Sequence, residues 1–392
     1  MPEAPLLLRA ARLIDGTGRP PCEPGAIVIE GGRIRAAGAI GSIETPAGAL
    51  VLDLPDHTLL PGLIDAHYHC SLSGALMNYH QRMADPLPEL IVRAATNLRK
   101  HLKAGVTTAR VLGDHGWMDF ALKKAIDAGE LPGPRLLPSG LGMRPTHGHG
   151  VMGTPTDGTD RIRERTRANL ERGAHVIKLF VSGDPIPEDP GPCAYSLAEI
   201  QAAVDEAHRY SRRVIAHCYG GLALRHCVEA HVDGIEHGIE MDDEGARLLT
   251  ESGTWLGLTL NSFLNGKRLH NRYGGQVPER IMKRQERVRA NLARALRAGV
   301  RWTLGTDAQH GEMAFELEAV VGLGAAPLDA IVAATRRAAE SCGVASQTGT
   351  LEPGKLADVI AVRGNPIADI KCVWNVDVVI KDGKRWDHIS AV

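Results

Sequence analysis

Short apolar and β-branched runs alternate with helix-period segments through the middle of the chain. This pattern is typical of parallel strands joined by crossover helices. Eight runs can be counted, and eight strands close a (β/α)8 TIM barrel. The runs span residues 59–67, 106–112, 135–140, 175–182, 213–219, 234–237, 255–260 and 301–307. The pattern therefore predicts an α/β fold with a barrel over residues 59–349.

The segments between the runs have the apolar spacing of amphipathic helices. Before the second run, apolar side chains recur every three or four residues and so share one helix face. They are Leu90, Ala94, Leu98 and Leu102. The same spacing returns over residues 277–296, before the eighth run. Gly105 and Gly299 follow these two segments, as expected where a helix ends.

The two ends of the chain differ from the middle. Residues 6–13 and 26–34 form short strand patterns with a hairpin signal at Gly31 and Gly32, and residues 355–362 and 376–380 form similar ones. A lone hairpin is only marginally stable in water. We therefore expect residues 1–58 and 350–392 to combine into one small discontinuous β-sandwich domain beside the barrel.

Composition and charge exclude several classes of protein. The 392 residues are 44% hydrophobic and 23% charged, as in folded globular chains. Basic and acidic residues number 45 and 46 and form no long single-sign run, so neither nucleic acid nor a membrane is an expected partner. The chain begins Met-Pro-Glu, unlike a secretory signal, and has no apolar stretch approaching the ~20 residues that cross a bilayer. We expect a cytoplasmic protein.

Histidine, with 17 residues, is the unusual count, whereas the seven cysteines form no CxxC pair. His67 and His69 end the first run and are separated by Tyr68. Because strand side chains alternate, both imidazoles point to one face, about 6 to 7 Å apart, where they can bind one metal ion. An HxH triplet alone is weak support, since two structural histidines would show the same pattern.

Four more polar residues lie late in other runs. Lys178 belongs to the fourth, His217 ends the fifth, His237 ends the sixth and Asp307 ends the eighth. Each alone has a structural interpretation, such as a hydrogen-bonded core histidine or a helix-capping aspartate. Together with the HxH pair they predict a metal site at the C-terminal mouth of the barrel, where TIM barrels build active sites.

These residues and their flanks resemble a known family. In order, they resemble the ligands of the binuclear amidohydrolase superfamily. The flanks resemble its imidazolonepropionase-like and prolidase-like (Xaa-Pro dipeptidase-like) branch, in the segments LPGLIDAH (60–67), IEHG (235–238), GTDA (305–308) and LEPGKLAD (351–358). The resemblance covers nearly the whole chain. It also implies a homo-oligomer.

The resemblance implies two divalent metal ions. One would be bound by His67, His69 and Asp307, the other by His217 and His237, with an N-carboxylated Lys178 bridging them. A carbamate supplies two anionic oxygens, which can span ions about 3.5 to 4 Å apart. Imidazole and carboxylate ligands suit zinc, although they do not exclude iron, manganese or cobalt. An unmodified Lys178 paired with Asp307 or Glu236 is the alternative.

Hydrolysis follows as the expected reaction class. A metal-bridging hydroxide would attack a carbonyl carbon, with Asp307 taking its proton and returning it to the leaving nitrogen. Tyr219 lies two residues after His217, on the same strand face if the strand continues, and could stabilise the oxyanion. By resemblance, His149 in the loop after the third run would contact the substrate. His147, two residues earlier, is a further candidate for binding the substrate, at a position where the resemblance leads us to expect a small residue.

Substrate specificity is assigned to the loops over residues 71–88, 141–159, 183–195 and 261–276. Three cations in them are candidates for binding a substrate carboxylate: Arg144, Lys267 and Arg268. The leading hypothesis is an amidohydrolase that cleaves the C–N bond of a small carboxylate-bearing amide, such as a dipeptide, an N-acyl amino acid or a mycotoxin-type aromatic amide. The alternatives are cyclic amide or imidazolone ring opening, lactone or phosphotriester hydrolysis, and a metal-binding scaffold without activity.

Overall fold

The computed structural model describes residues 4–72, 84–150, 152–183 and 192–386. These residues form seventeen strands: β1 (Leu6–Leu13), β2 (Gly25–Glu30), β3 (Arg33–Ala39), β4 (Leu50–Pro61), β5 (Leu63–Tyr68), β6 (Val106–Val111), β7 (Arg135–Leu137), β8 (Met143–Arg144), β9 (Thr154–Pro155), β10 (Val176–Phe180), β11 (Arg213–Cys218), β12 (Gly234–His237), β13 (Trp255–Leu258), β14 (Trp302–Leu304), β15 (Val359–Arg363), β16 (Val376–Lys381) and β17 (Lys384–Arg385).

The same parts of the chain contain twelve α-helices: α1 (Leu87–Lys103), α2 (Met118–Asp127), α3 (Thr159–Glu171), α4 (Leu197–Arg209), α5 (Gly221–Glu229), α6 (Asp243–Ser252), α7 (Leu260–Leu264), α8 (Gly266–Arg272), α9 (Glu279–Arg297), α10 (Met313–Gly322), α11 (Pro327–Ala333) and α12 (Arg336–Cys342). The two helices expected from apolar spacing are α1 and α9. Within the described ranges, no helix has both the length and the apolar character needed to cross a membrane.

Eight strands form the predicted barrel. Strands β5, β6 and β7 pair in parallel, as do β10 to β14 in chain order. Two sets of backbone hydrogen bonds join these groups. The His175 amide donates to the Pro138 carbonyl at 2.7 Å, and on the other side the Asp307 amide donates to the His67 carbonyl at 2.7 Å. The barrel prediction is confirmed. The hydrogen bond between Asp307 and His67, which closes the barrel between β14 and β5, joins two candidate metal ligands.

The first predicted strand, residues 59–67, is in fact two strands. β4 continues to Pro61 in the small sheet, and β5 begins at Leu63 in the barrel. Gly62 separates them, and a Cβ at that position would collide with the Thr107 side chain. Apolar periodicity continues through this junction because both strands are buried, so the break could not be read from the pattern.

The two ends of the chain share one sheet, in the order β17-β16-β15-β4-β1-β2-β3. Its apolar core takes residues from both ends, including Leu8, Ile27, Val359 and Ile380. Arg135, at the start of barrel strand β7, donates to the buried Asp358 carboxylate at 2.8 Å and so ties the sheet to the barrel. The division into two domains at the stated boundaries stays a prediction.

The segment after β13 was expected to be a loop, but it contains α7 and α8. The Glu316 carboxylate accepts hydrogen bonds from the Leu260 and Asn261 amides at 2.6 and 2.9 Å. The Asn265 side chain accepts from the Arg268 amide at 3.1 Å and caps α8. Glu316 comes from α10, so α7 depends on a contact with a distant part of the sequence that no local signal reveals.

Candidate active site

His67, His69 and Asp307 meet at the C-terminal mouth of the barrel. The two histidine Nε2 atoms lie 3.3 Å apart, and Asp307 Oδ1 is 3.8 Å from that of His67 and 3.5 Å from that of His69. Both imidazoles are buried. Among the described residues this is the group of three whose ligand atoms all lie close enough to hold one metal ion. The sequence-predicted convergence of these residues is therefore present.

The other nitrogen of each imidazole is bonded to an acceptor. His67 Nδ1 lies 2.7 Å from Glu236 Oε2, and His69 Nδ1 lies 2.7 Å from the Gly113 carbonyl oxygen. The proton of each ring belongs at Nδ1, because a carboxylate and a carbonyl only accept. The Nε2 lone pairs are then directed toward the shared space beside Asp307, the arrangement typical of metal-binding histidines.

Glu236 was not predicted as a site residue, although it lies in the IEHG segment. Its second oxygen accepts a hydrogen bond from the buried Arg110 guanidinium at 3.1 Å. Burial raises the pKa of Glu236, and Arg110 and Lys178 act in the opposite direction. The available signal was a carboxylate inside a short apolar strand, which is costly unless it has a partner.

His217 and His237 form the second pair. Their ring centroids are 4.4 Å apart, and the His237 centroid is 5.0 Å from the centroid of the His67 ring. His237 Nδ1 lies 2.7 Å from Thr259 Oγ1, whereas the buried His217 Nε2 has no hydrogen-bond partner among the described residues. Burial, together with the neighbouring cationic or titratable groups, lowers the pKa of both imidazoles well below the ordinary value. Both rings are therefore neutral at pH 7 and able to bind a metal.

Lys178 is fully buried beside these histidines. Its Nζ has no hydrogen-bond partner and no ion pair in the described part of the chain, and it lies 5.1 Å from the centre of the Phe180 ring. The alternative pairing with Asp307 or Glu236 is not formed. Burial lowers the pKa of Lys178 to about 8. An amine in this position requires a partner or a modification.

Together, the unpaired Lys178 Nζ, the unpaired His217 Nε2 and the converging Nε2 atoms fit divalent metal ions. All these donors are nitrogen or carboxylate oxygen atoms, which suit zinc and similar ions. Asp307 and His237 also adopt left-handed backbone conformations, with φ of 61° and 78°. Such strain in non-glycine residues is concentrated at functional sites.

The Asp307 carboxylate is held from several sides. Ser262 Oγ donates to Oδ2 at 3.1 Å and accepts from Gln309 Nε2 at 2.9 Å. Burial raises the pKa of Asp307, but the surrounding histidines and Arg268 outweigh burial and lower the pKa to about 2. Ser262 and Gln309 were not predicted, because Ser262 reaches Asp307 only through the fold of α7, and Gln309, in the turn after β14, bonds to Ser262.

Tyr219 and His149 border the histidine cluster, as expected. The Tyr219 ring centre is 4.6 Å from that of His217 and 5.7 Å from that of His237. His149 stacks on His217 at 4.3 Å with 23° between the ring planes. The loop of His149 packs closely on Phe180. A Cβ added at Gly150 would lie only 2.7 Å from the Phe180 ring. His147, by contrast, is exposed.

The three candidate cations are placed differently. Arg144 donates to the carbonyls of its own loop, at residues 145, 146 and 153, over 3.0 to 3.2 Å. Lys267 is exposed, whereas Arg268 is half-buried and acts electrostatically on Asp307. Of the three cations, Arg268 is the one that helps to lower the pKa of Asp307. Parts of three predicted specificity loops, at residues 73–83, 151 and 184–191, lie outside the described residues.

Comparison with known proteins agrees with this geometry. The profile of the amidohydrolase family matches residues 58–386. This chain belongs to the amidohydrolase family. It is 32% identical over 408 residues to ochratoxinase of Aspergillus niger, covering 93% of this chain and 82% of that protein.

Two solved structures resemble this amidohydrolase over nearly their whole length. One is a Xaa-Pro dipeptidase with methionine bound in its active site, with a TM-score of 0.85, 30% identity, and coverage of 97% of this chain and 99% of that one. The other is a putative prolidase from Bifidobacterium longum, with a TM-score of 0.84, 29% identity, and coverage of 98% and 95%. The chain is a hydrolase that acts on carbon–nitrogen bonds, and the predicted family branch is confirmed.

Gly257→Ala is expected to weaken metal binding by this amidohydrolase about 10- to 100-fold, the usual cost of losing an outer partner of a ligand. A Cβ at position 257 would collide with Glu236 Oε2, which bonds to His67. Metal content after dialysis against graded chelator measures the effect. Gly322→Ala is the control, because open space surrounds Gly322. Equal metal retention by both variants would show that Glu236 does not orient His67.

Proposed function

We propose that this amidohydrolase hydrolyses the amide bond of a small substrate that has a free carboxylate, such as a dipeptide or an N-acyl amino acid, including mycotoxin-type aromatic amides. The cluster of His67, His69 and Asp307 at the barrel mouth is the observation that favours this function. Arg268, which helps to lower the pKa of Asp307, is the proposed binding partner of the carboxylate, since a guanidinium can bind a carboxylate through two parallel hydrogen bonds. The dipeptidase and ochratoxinase relatives support the same class of substrate.

The proposal includes two divalent metal ions, with zinc as the expected metal. His67, His69 and Asp307 would hold one ion, and His217 and His237 the other. Such ions, when bound, supply activated water at neutral pH and polarise a carbonyl group. The remaining steps are assigned to the side chains of the protein.

Lys178 is proposed to be N-carboxylated between the two ligand groups. With a pKa of about 8, a fraction of Lys178 is a neutral amine at pH 7. The amine nitrogen forms a bond to the carbon of CO2 and loses one proton, which gives an anionic carbamate. The carbamate would supply two oxygen atoms as metal ligands, whereas the Lys178 Nζ has no partner among the described residues. It would also replace a buried cation that would repel metal ions.

Asp307 is the proposed proton carrier. Oδ1 lies nearest the histidine pair and would bind the metal ion, so Oδ2, which accepts from Ser262 Oγ, is the oxygen proposed to take a proton and pass it to the leaving nitrogen. Tyr219 is proposed to donate its phenol proton in a hydrogen bond to the developing oxyanion. His149, which stacks on His217, lines the same side and is proposed to contact the acyl part of the substrate.

Arg268→Met tests the function with matched substrates. An N-acyl amino acid should lose about 10- to 100-fold in kcat/KM, because a hydrogen bond to a charged group contributes about 1.5 to 3 kcal/mol. The same compound with a C-terminal carboxamide should change little. Release of the free amino acid or amino acid amide measures both. Arg247→Met, on an exposed ion pair of α6, is the control.

Two outcomes would contradict the proposed function. Equal losses on carboxylate and carboxamide would show that Arg268 does not bind the carboxylate. If the unaltered enzyme releases no amino acid from any linear amide but opens lactams or imidazolones, the substrate is cyclic and the proposal is wrong. Metal analysis of the same preparations shows whether an inactive sample lacks its ions.

A further inference from the structure

A cavity lies at the N-terminal face of the barrel, away from the mouth that contains the metal ligands. It opens beside the starts of β10 and β11 and the end of α12, and its walls include Arg110, His175, Arg212, Arg213 and Ser341. TIM barrels build their active sites at the opposite face, so the candidate active site does not account for this cavity. The cavity contains about 80 Å³ of open space. Because one water molecule needs about 10 to 15 Å³, the cavity has room for about five heavy atoms.

Arg110 is the most deeply buried cation of the cavity, and its charge is already balanced. Its guanidinium donates to Glu236 Oε1 at 3.1 Å. It also donates to the Ala66 carbonyl at 2.7 Å and to the Ser341 carbonyl at 3.1 Å. Glu236 in turn bonds to His67. Arg110 therefore supports the metal site and leaves little of its charge for a ligand in the cavity.

Arg212 and Arg213 have charges that no carboxylate balances. In the part of the chain that the structure describes, neither guanidinium forms an ion pair, and both donate to backbone carbonyls instead. Arg212 Nε donates to the Ala174 carbonyl at 3.1 Å, and Arg213 Nη1 donates to the carbonyls of Glu340 and Ser341. A guanidinium has five N–H donors. Both Nη groups of Arg212 and the Nε and Nη2 groups of Arg213 thus remain for a ligand.

The end of α12 explains only part of this arrangement. The last carbonyls of a helix have no partner within it, and those of α12 accept from Arg213, Arg110 and His175. The His175 contact, to the Cys342 carbonyl, measures 2.7 Å. A helix end has about half a negative charge, whereas Arg212 and Arg213 together have two positive charges. Capping of the helix therefore leaves the cavity with a net positive charge.

The surroundings of Arg213 disfavour its own charge. Burial lowers the pKa of its guanidinium, and the positive charges of Arg110 and Arg301 act in the same direction, whereas Asp233 opposes them. Burial and the neighbouring arginines also lower the pKa of His175, so this imidazole is neutral at pH 7. Cations are therefore crowded at this face of the barrel, and an anion in the cavity would relieve their repulsion.

We propose that this cavity binds a small oxyanion, of the size of sulfate or phosphate, between Arg212 and Arg213. Guanidinium groups bind such anions through parallel hydrogen bonds from their planar donors. The five heavy atoms of such an ion match the space available. The anion is either a free ion or the phosphate group of a larger molecule whose remainder lies in solvent. This site is independent of the substrate that the enzyme hydrolyses.

Sulfate is the first probe, because it binds metal ions only weakly. Metal-loaded enzyme is titrated with sodium sulfate at an ionic strength kept constant with sodium chloride. Calorimetry should show saturable binding of one sulfate per chain, and saturating sulfate should raise Tm by about 2 to 4 °C. Saturation is the decisive observation, because general screening of surface charge increases gradually with salt and does not saturate at one ion.

Matched variants locate the site. Arg212→Met and Arg213→Met should each weaken sulfate binding about 10- to 100-fold, because each removes hydrogen bonds to a charged group. Arg212 is exposed, so its substitution tests the site even if Arg213→Met, which loses its contact with α12, fails to fold. Arg212→Lys keeps the charge and should retain part of the affinity. Arg161→Met, on α3 with its side chain 76% exposed, is the control and should bind sulfate unchanged.

The outcomes either support the site or overturn it. If sulfate binds Arg212→Met and Arg213→Met as tightly as the unaltered enzyme, it binds elsewhere, for example at the metal ions, and the inference is wrong. If sulfate and chloride at equal ionic strength have the same effect on Tm, no oxyanion site exists.

Glycerol phosphate distinguishes the two sources of the anion. Binding tighter than that of inorganic phosphate, and lost in the same variants, would assign the cavity to the phosphate group of a larger molecule. Weaker binding, also lost in these variants, would assign the cavity to a free ion.

Discussion

Lys178→Met is expected to lower kcat/KM about a thousandfold or more, equivalent to about 4 kcal/mol. Methionine fills nearly the same volume but cannot form a carbamate. The four imidazoles and the Asp307 carboxylate would then be left without the anion that joins the two ligand groups. The metal content should fall from about two ions per chain to one or fewer, as measured by metal analysis. Mass spectrometry under mild conditions checks the carbamate directly in the unaltered protein.

The same substitution should preserve or raise thermal stability of the metal-free protein, because it removes a buried amine with no partner. This result separates loss of function from loss of fold. Lys283→Met, on an exposed ion pair of α9, should change neither activity nor metal content. A Lys178→Met enzyme that keeps both ions and most of its activity would show that the lysine is a structural residue and not a ligand.

The six candidate ligands could be predicted because each is coupled to a local pattern. Strand alternation put His67 and His69 on one face, and their position at the end of an apolar run put them at the barrel mouth. His217 and His237 end their runs in the same way, so barrel closure alone brings them together. Lys178 stood out because a cation inside an apolar strand is costly.

The supporting residues could not be predicted because they meet the site through long-range contacts. Ser262 reaches Asp307 only because Glu316 fixes α7 by accepting from the Leu260 and Asn261 amides. Glu316 lies 54 to 56 residues after these three residues in the chain. Arg144 and Arg268 looked equivalent in sequence, yet Arg144 is bonded to the carbonyls of its own loop, whereas Arg268 helps to lower the pKa of Asp307. Loop conformation decided between them.

Asp307→Asn is expected to lower kcat about a thousandfold, within the range for removing a general acid–base group. Asparagine has the same shape, and its amide oxygen can occupy the place of Oδ1, so we expect KM to change less than about fivefold. The amide cannot take a proton from water at neutral pH or return it to the leaving nitrogen. Steady-state kinetics with an N-acyl amino acid measure both constants.

The roles of Asp307 as metal ligand and as proton carrier can be separated by comparing two variants. Asp307→Ala should lose activity together with part of the bound metal, whereas Asp307→Asn should lose activity while retaining more of it. Asp243→Asn, whose side chain is 86% exposed on α6, is the control for removing a carboxylate. If Asp307→Asn with full metal content keeps more than about a tenth of kcat, proton transfer falls to another group. His149 would then be the first residue to test, because it stacks on His217 at the same mouth of the barrel.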